Sequence, residues 1–248
     1  MEETMMEFDY YLPVNLIFGR GKANLIGKGA AKYGKKALIV TGKNSTKKSG
    51  LLDKSISLLK EKNMDIAVFD KVSQNPLTTT VIEGAEFAKS EKCDVIIALG
   101  GGSIIDAAKA IALLATNEGN IEDYIYGKIS AKKALPLIIV PTTCGTGSES
   151  NCFAVLTNPE TGDKKSLRYN EIIGKASIID PDLMTTMPQH ILASVGFDAL
   201  CHNMEAYLSN KAQPLTTMMS LQGIELIGKY LPMVYEDYSN MDAWEAIA

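Results

Sequence analysis

The sequence predicts an α/β fold, with a mostly parallel sheet over residues 1–186 and an all-helical region over residues 187–248. Three observations carry that expectation. Short apolar, β-branched runs alternate with segments of helical spacing, as in strand–helix–strand units. The apolar runs lack period-two alternation, so their strands are expected to be buried on both faces, as parallel strands are. Past Thr186-Met187-Pro188 no strand pattern recurs and only helical spacing remains.

In chain order, residues 1–20, with Met5-Met6-Glu7-Phe8 and Val14-Asn15-Leu16-Ile17-Phe18, read as one or two strands. A helical pattern over 23–33 stops at Gly34. Residues 36–42 read as a buried strand, 51–62 as an amphipathic helix and 64–70 as a strand; Asn75-Pro76 punctuates, and 79–92 is a helix. Val95 to Leu99 form the most apolar strand, and Gly100-Gly101-Gly102 breaks it before an Ala/Ile/Leu-rich helix. Strands follow at 135–140 and 177–180, then helices at 191–208 and 215–230.

At 248 residues, 46% hydrophobic and 22% charged, the chain has room for one large domain or two modest ones. Twenty-five basic against 29 acidic residues give a net charge of −4, which with no basic block excludes a nucleic-acid footprint. The longest uncharged apolar runs, such as Leu135 to Val140, are too short for a bilayer, and Met1-Glu2-Glu3 is no secretory start. Cys93, Cys144, Cys152 and Cys201 form no C-x-x-C pair, so reduced thiols in a cytoplasmic protein are expected.

A strand, a glycine turn and a helix start form the geometry that receives a phosphate. Glycine lets an anion approach the backbone, and the free N–H groups of the first helical turn meet it with the helix dipole behind them. Ser103 stands where it can cap that helix or donate to a phosphate oxygen. The spacing departs from G-x-G-x-x-G, because Ile105 holds the sixth position, and no Gly-Lys-Ser follows. A turn that needs glycine only for sharpness would look the same.

Pro141-Thr142-Thr143-Cys144-Gly145-Thr146-Gly147-Ser148 offers four hydroxyls after another buried strand, suited to hydrogen bonding a ribose, pyrophosphate or carboxamide. Hydrophilic surface turns share this composition. Ligands of such sheets bind at the carboxyl ends of strands, where both loops fall. Asp198 and His202, four apart on a helix, share a face and can converge on one cation, although a surface hydrogen bond is the plainer reading. His190 reads as a surface residue at a helix start.

Taken together, Gly100-Gly101-Gly102-Ser103 with Asp106, Pro141-Thr142-Thr143-x-Gly145-Thr146-Gly147-Ser148-Glu149, and Gly196-x-Asp198-Ala199-x-x-His202-x-x-Glu205-Ala206-Tyr207 resemble the iron-containing (group III) alcohol dehydrogenase family. Asn75-Pro76 and Ile179-Asp180-Pro181 fit the same pattern. The resemblance implies an NAD(P)-dependent oxidoreductase that interconverts small alcohols with aldehydes or ketones. It further implies a dinucleotide-binding domain, a helical domain, a divalent ion between them (iron or zinc) and a homodimer. By resemblance, Gly100, Gly101, Gly102, Ser103 and Asp106 belong to the pyrophosphate side, and Asn75 is a further cofactor-binding residue. Thr142, Thr143, Thr146 and Ser148 belong to the nicotinamide and ribose, Lys165 (or Lys164) lies near the cofactor, and Asp198 and His202 are metal ligands. A dehydroquinate-synthase-like lyase and a non-catalytic nucleotide-binding module are the alternatives.

Two departures from the family pattern shape the expectations. NAD-preferring members carry an aspartate after the second strand, where this chain has Gly42 followed by Lys43-Asn44-Ser45, so NADP is expected over NAD. The family completes its metal site with two further histidines, and none follows His202. The helical domain is therefore expected to be incomplete, with weak ion binding, uncovered apolar helix surface, and a polypeptide that binds nucleotide but turns over little or no alcohol.

Overall fold

The computed structural model describes residues 7–248, and the strand expected around Met5-Met6 lies outside the described residues. In chain order the elements are β1 (Asn15–Phe18), a 3-10 turn (Lys22–Leu25), α1 (Ile26–Ala30), β2 (Lys36–Gly42), α2 (Ser45–Lys48), α3 (Leu51–Lys60), β3 (Asp65–Val72), α4 (Thr78–Ser90), β4 (Val95–Gly100) and α5 (Gly102–Leu114). Then follow α6 (Ile121–Ile125), β5 (Leu137–Pro141), β6 (Phe153–Thr157), β7 (Lys164–Arg168), β8 (Ala176–Ile179), a 3-10 turn (Pro181–Thr186), α7 (Gln189–Leu208), α8 (Pro214–Glu236) and α9 (Met241–Ile247).

Six strands form one sheet in the order β1-β8-β5-β4-β2-β3, and every neighbouring pair is parallel. The fold is α/β, as the apolar runs imply. Leu38, Val40, Ile96 and Ala98 pack with α4 and α5, whereas Ile39, Ile97, Leu99 and Val140 pack with α1 and α3. Alternate residues of β2 and β4 thus enter two separate cores, which is why their sequences show no polar face. Beyond β8 the chain is helical, and a third core joins Met184, Leu192, Val234 and Trp244 beneath α7, α8 and α9. On the outer faces of α7 and α8, Phe197, Leu208 and Met218 remain exposed.

The short helices α2 and α6 and the strands β6 and β7 lie outside the sequence reading. β6 and β7 form a separate antiparallel hairpin, whose second strand, Lys164-Lys165-Ser166-Leu167-Arg168, is too polar to register as an apolar run. Buried Asp180, just past β8, accepts from the backbone N–H groups of Gly21 (3.1 Å) and Ala23 (2.9 Å) and so anchors the chain that follows β1.

Candidate functional site

β4 and β5 are neighbours, with Gly100 opposite Pro141, so the glycine turn and the hydroxyl loop leave the sheet side by side. The Thr142 N–H donates to the Gly100 carbonyl at 3.1 Å. Gly100 has φ +155°, and a Cβ there would lie 2.6 Å from Ile104, so the turn demands glycine. α5 opens from Gly101 with no side-chain cap. Ser103 is therefore not the cap its position promised; its hydroxyl instead accepts from the Asn75 N–H at 3.3 Å. With no capping side chain competing, the first-turn amides of α5 remain available to an anion.

Asn75, Gly102, Ser103, Asp106, Thr146, Ser148, Lys164, Asp198 and His202 line one cleft of about 510 Å³. Thr143, Thr146, Glu149 and His202 border a second cavity of about 740 Å³, so Thr146 and His202 face both spaces. Thr142 stands apart, bordering a third cavity of about 230 Å³ with Ser45, Thr46, Leu51 and Leu183. Gly42 ends β2 and Lys43 is exposed in the loop after it. The buried Thr41 hydroxyl holds this loop, contacting Thr46 Oγ1 at 2.8 Å and donating to the Leu99 carbonyl at 2.9 Å.

Of the two adjacent lysines, Lys164 lines the cleft, its Nζ donating to Asn75 Oδ1 at 2.9 Å. Lys165 lies instead beside Glu122, Asn158 and Asp163. Successive residues of a strand point to opposite faces, so only one can enter the cleft, and the place expected for Lys165 is held by Lys164.

Asp106 is committed inward. One carboxylate oxygen accepts from Ser148 Oγ at 2.6 Å and the other from the Val155 N–H at 3.0 Å. Burial pushes its carboxyl above the usual range, against the pull of those bonds. Beneath it lies Lys109, fully buried, donating to Ser148 Oγ (3.0 Å), Asn151 Oδ1 (2.9 Å) and the Phe153 carbonyl (2.8 Å). Sequence reasoning missed Lys109, although a lysine flanked by Ala107, Ala108, Ala110, Ile111 and Ala112 has no polar helix face to occupy, which is itself a signal. Burial also raises Glu149 and pushes the Cys144 thiol up to about 11, which favours its protonated form.

On α7 the Asp198 Oδ1 and His202 Nε2 atoms lie 3.8 Å apart, each side chain about half exposed (49% and 50%). His202 Nδ1 lies 3.2 Å from the Gly145 carbonyl, which can only accept, so Nδ1 donates and Nε2 is the ring nitrogen that faces the carboxylate. That arrangement suits a cation, since metal-bound histidines commonly donate their other ring N–H to a carbonyl. Asp and His donors suit iron and zinc alike. The pair supplies two of the three protein ligands a catalytic ion usually takes, and among the described residues no cluster of three or more His, Cys, Asp or Glu exists. Gly145 brings the two halves together: its φ is +121°, and a Cβ there would lie 2.3 Å from the Val195 carbonyl of α7.

A parallel sheet with a glycine turn and a hydroxyl loop at adjacent tips, facing an Asp/His pair on a helix, defines an α/β protein with its crevice at the carboxyl ends of its strands. Residues 13–181 match the family model described as iron-containing alcohol dehydrogenase, and residues 192–248 match the C-terminal model of the same family. The chain belongs to the iron-containing alcohol dehydrogenase family. It is 36% identical over 243 residues to the NAD-dependent methanol dehydrogenase of Bacillus methanolicus, covering 97% of this chain and 63% of that protein. It is 38% identical to the 1,3-propanediol dehydrogenase of Citrobacter freundii over the same shares. The crystal structure of NADH-dependent butanol dehydrogenase A from Thermotoga maritima superposes with a TM-score of 0.93 at 33% identity, covering 98% of this chain and 62% of that one. The chain thus spans somewhat under two thirds of the length of these relatives.

Proposed function

We propose that this chain carries the nicotinamide-dinucleotide site and part of the metal site of an oxidoreductase that interconverts small alcohols with aldehydes or ketones. Residues 1–186 form the dinucleotide-binding unit and 187–248 the helical unit that bears the metal pair. What supports this most directly is the adjacency of the β4 and β5 tips, with Asp198 and His202 across the same cleft.

In this reading the amides of Gly102 and Ser103 bind the pyrophosphate with the α5 dipole behind them. Thr142, expected on the nicotinamide side, borders a separate cavity with Ser45 and Thr46 and is reassigned to the adenosine end, whereas Thr143 and Thr146 line the space for the nicotinamide ribose and carboxamide. Lys164 adds positive charge at the cleft wall. Asp198 and His202 would hold the ion, with the Gly145 carbonyl orienting the imidazole. When bound, the ion supplies Lewis acidity to the substrate oxygen and the nicotinamide exchanges a hydride.

NADP is preferred over NAD in this proposal. Gly42 offers no carboxylate to repel a 2′-phosphate, and Lys43 and Ser45 follow it. Fluorescence titration of the purified chain with NADH and NADPH, followed by alcohol assays with added Fe²⁺ or Zn²⁺, tests the whole reading. Binding of a reduced dinucleotide with little or no turnover is expected; no binding of either refutes it. Gly42→Asp is expected to shift the NADPH/NADH affinity ratio toward NADH by about tenfold, or about 1.4 kcal/mol. The four cysteines are free, which supports a cytoplasmic location. A homodimer is proposed from the family resemblance, and light scattering of the purified chain checks it.

A further inference from the structure

Lys109 plays no part in the reading above, yet it is the most buried charged side chain beside the cleft. We propose that Lys109 is a positioning residue whose ammonium, by holding Ser148, Asn151 and the Phe153 carbonyl at once, fixes the loop that presents Thr146 to the dinucleotide. The link to dinucleotide affinity rests on the nucleotide reading; the hold on the loop does not.

The hydrogen count requires the charged form. An ammonium has three N–H donors, and all three are spent here, on Ser148 Oγ, Asn151 Oδ1 and the Phe153 carbonyl. The single hydrogen of Ser148 goes to Asp106, so Ser148 offers Lys109 only lone pairs. A neutral amine would meet those lone pairs with its own, or else abandon one of the other two acceptors. Asn151 passes the constraint on, since its Nδ2 donates to the Gly147 carbonyl and its Oδ1 accepts from the Phe153 N–H, both at 2.9 Å. One nitrogen on α5 therefore holds the loop between Gly147 and Phe153.

The ionisable groups around it are Asp106 on α5 itself and Glu149 and Cys152 on the loop, each favouring the ammonium, with Lys164 facing Asp106 from the hairpin. Burial outweighs them and brings Lys109 down from 10.5 to about 8. The loop should therefore loosen as pH rises through about 8, and dinucleotide affinity should fall with it. Chain stability moves the other way. The folded chain binds fewer protons at Lys109 than the unfolded chain between about 8 and 10.5, so this group's contribution to stability rises over that window. Opposite slopes separate a positioning role from a merely structural one.

The test compares wild type, Lys109→Met and Lys109→Arg at about pH 7 and about pH 9, spanning one unit either side of the titration. It reads amide-exchange protection of residues 146–153 in the nucleotide-free chain, corrected for intrinsic exchange, and NADPH affinity by fluorescence. Wild type is expected to lose loop protection and about tenfold in affinity between the two pH values, the factor carried by one pK unit. Lys109→Met should be weak and flat with pH, and Lys109→Arg, permanently charged, should restore binding and also stay flat. Loop protection in wild type that ignores pH, or a Lys109→Met chain with wild-type affinity and slope, overturns the proposal. The wild-type comparison needs no substitution, so a variant that misfolds does not blunt it. Loop protection that tracks the Lys109 charge in a chain that binds no dinucleotide supports the hold on the loop and refutes the nucleotide reading instead.

Discussion

At the tips of β4 and β5, the buried Ser148 and Lys109 and the half-buried Asp106 satisfy one another, whereas on α7 Asp198 and His202 stand half exposed and 3.8 Å apart. The first group is set before any ligand arrives, because each polar atom removed from water has a partner that fixes it. The second has one fixed point, the Gly145 carbonyl on Nδ1, and leaves the remaining donors facing solvent. The same contrast runs through the packing: β4 is wholly buried between two cores, while α7 and α8 keep Phe197, Leu208 and Met218 exposed. A site can therefore be preorganised on one side of a cleft and depend on its ligand for order on the other.

Four substitutions bear on that contrast. The largest effect belongs to the sheet: Ile97→Ala, at a fully buried position of β4, should cost about 2–5 kcal/mol and be read as a lower denaturant midpoint. A loss below about 1 kcal/mol there would mean that the strand core is not rigid. Next comes the seam between the halves. Gly145→Ala forces a Cβ to 2.3 Å from a backbone carbonyl at a φ of +121°. It should cost about 2–3 kcal/mol and lower Tm by roughly 4–12 °C. His202→Ala should weaken Zn²⁺ binding at least about tenfold in calorimetry, about 1.4 kcal/mol, with NADPH affinity unchanged within about twofold. Equal losses of both would show that the two halves are not separable. Smallest is Leu208→Ser, at a residue 74% exposed, expected within about 0.5 kcal/mol of wild type by thermal melting.

The sheet was legible because its signals are local. Val95 to Leu99 is apolar throughout since both of its faces are covered, and Gly100 is required by a backbone angle no other residue takes comfortably. The adjacency of the two loops follows from strand order, which the alternation of elements permits but does not specify. The β6–β7 hairpin escaped notice because its second strand is exposed and polar, and with it went the choice between Lys164 and Lys165. That choice depends on which strand face meets the cleft, a matter of tertiary placement. Of the two roles open to Ser103, the cap fails for a related reason, since its partner Asn75 lies 28 positions earlier in the chain. Asp198 and His202 were legible as a helical pair, but the carbonyl that selects the tautomer comes from a loop 57 positions away.

The clamp at Asp180 bears on how the chain is made. Among the described residues β1 pairs only with β8, and the carboxylate that gathers Gly21 and Ala23 is 159 positions downstream of the first of them. At roughly 5–20 residues per second of synthesis, the first strand waits about 8–30 seconds on the ribosome before its partner exists. Ile17, the β1 side chain that packs against the core beside Ala176 and Ile178 of β8, stays uncovered for that interval, so a nascent chain stalled short of β8 should be more prone to aggregate than one stalled after it.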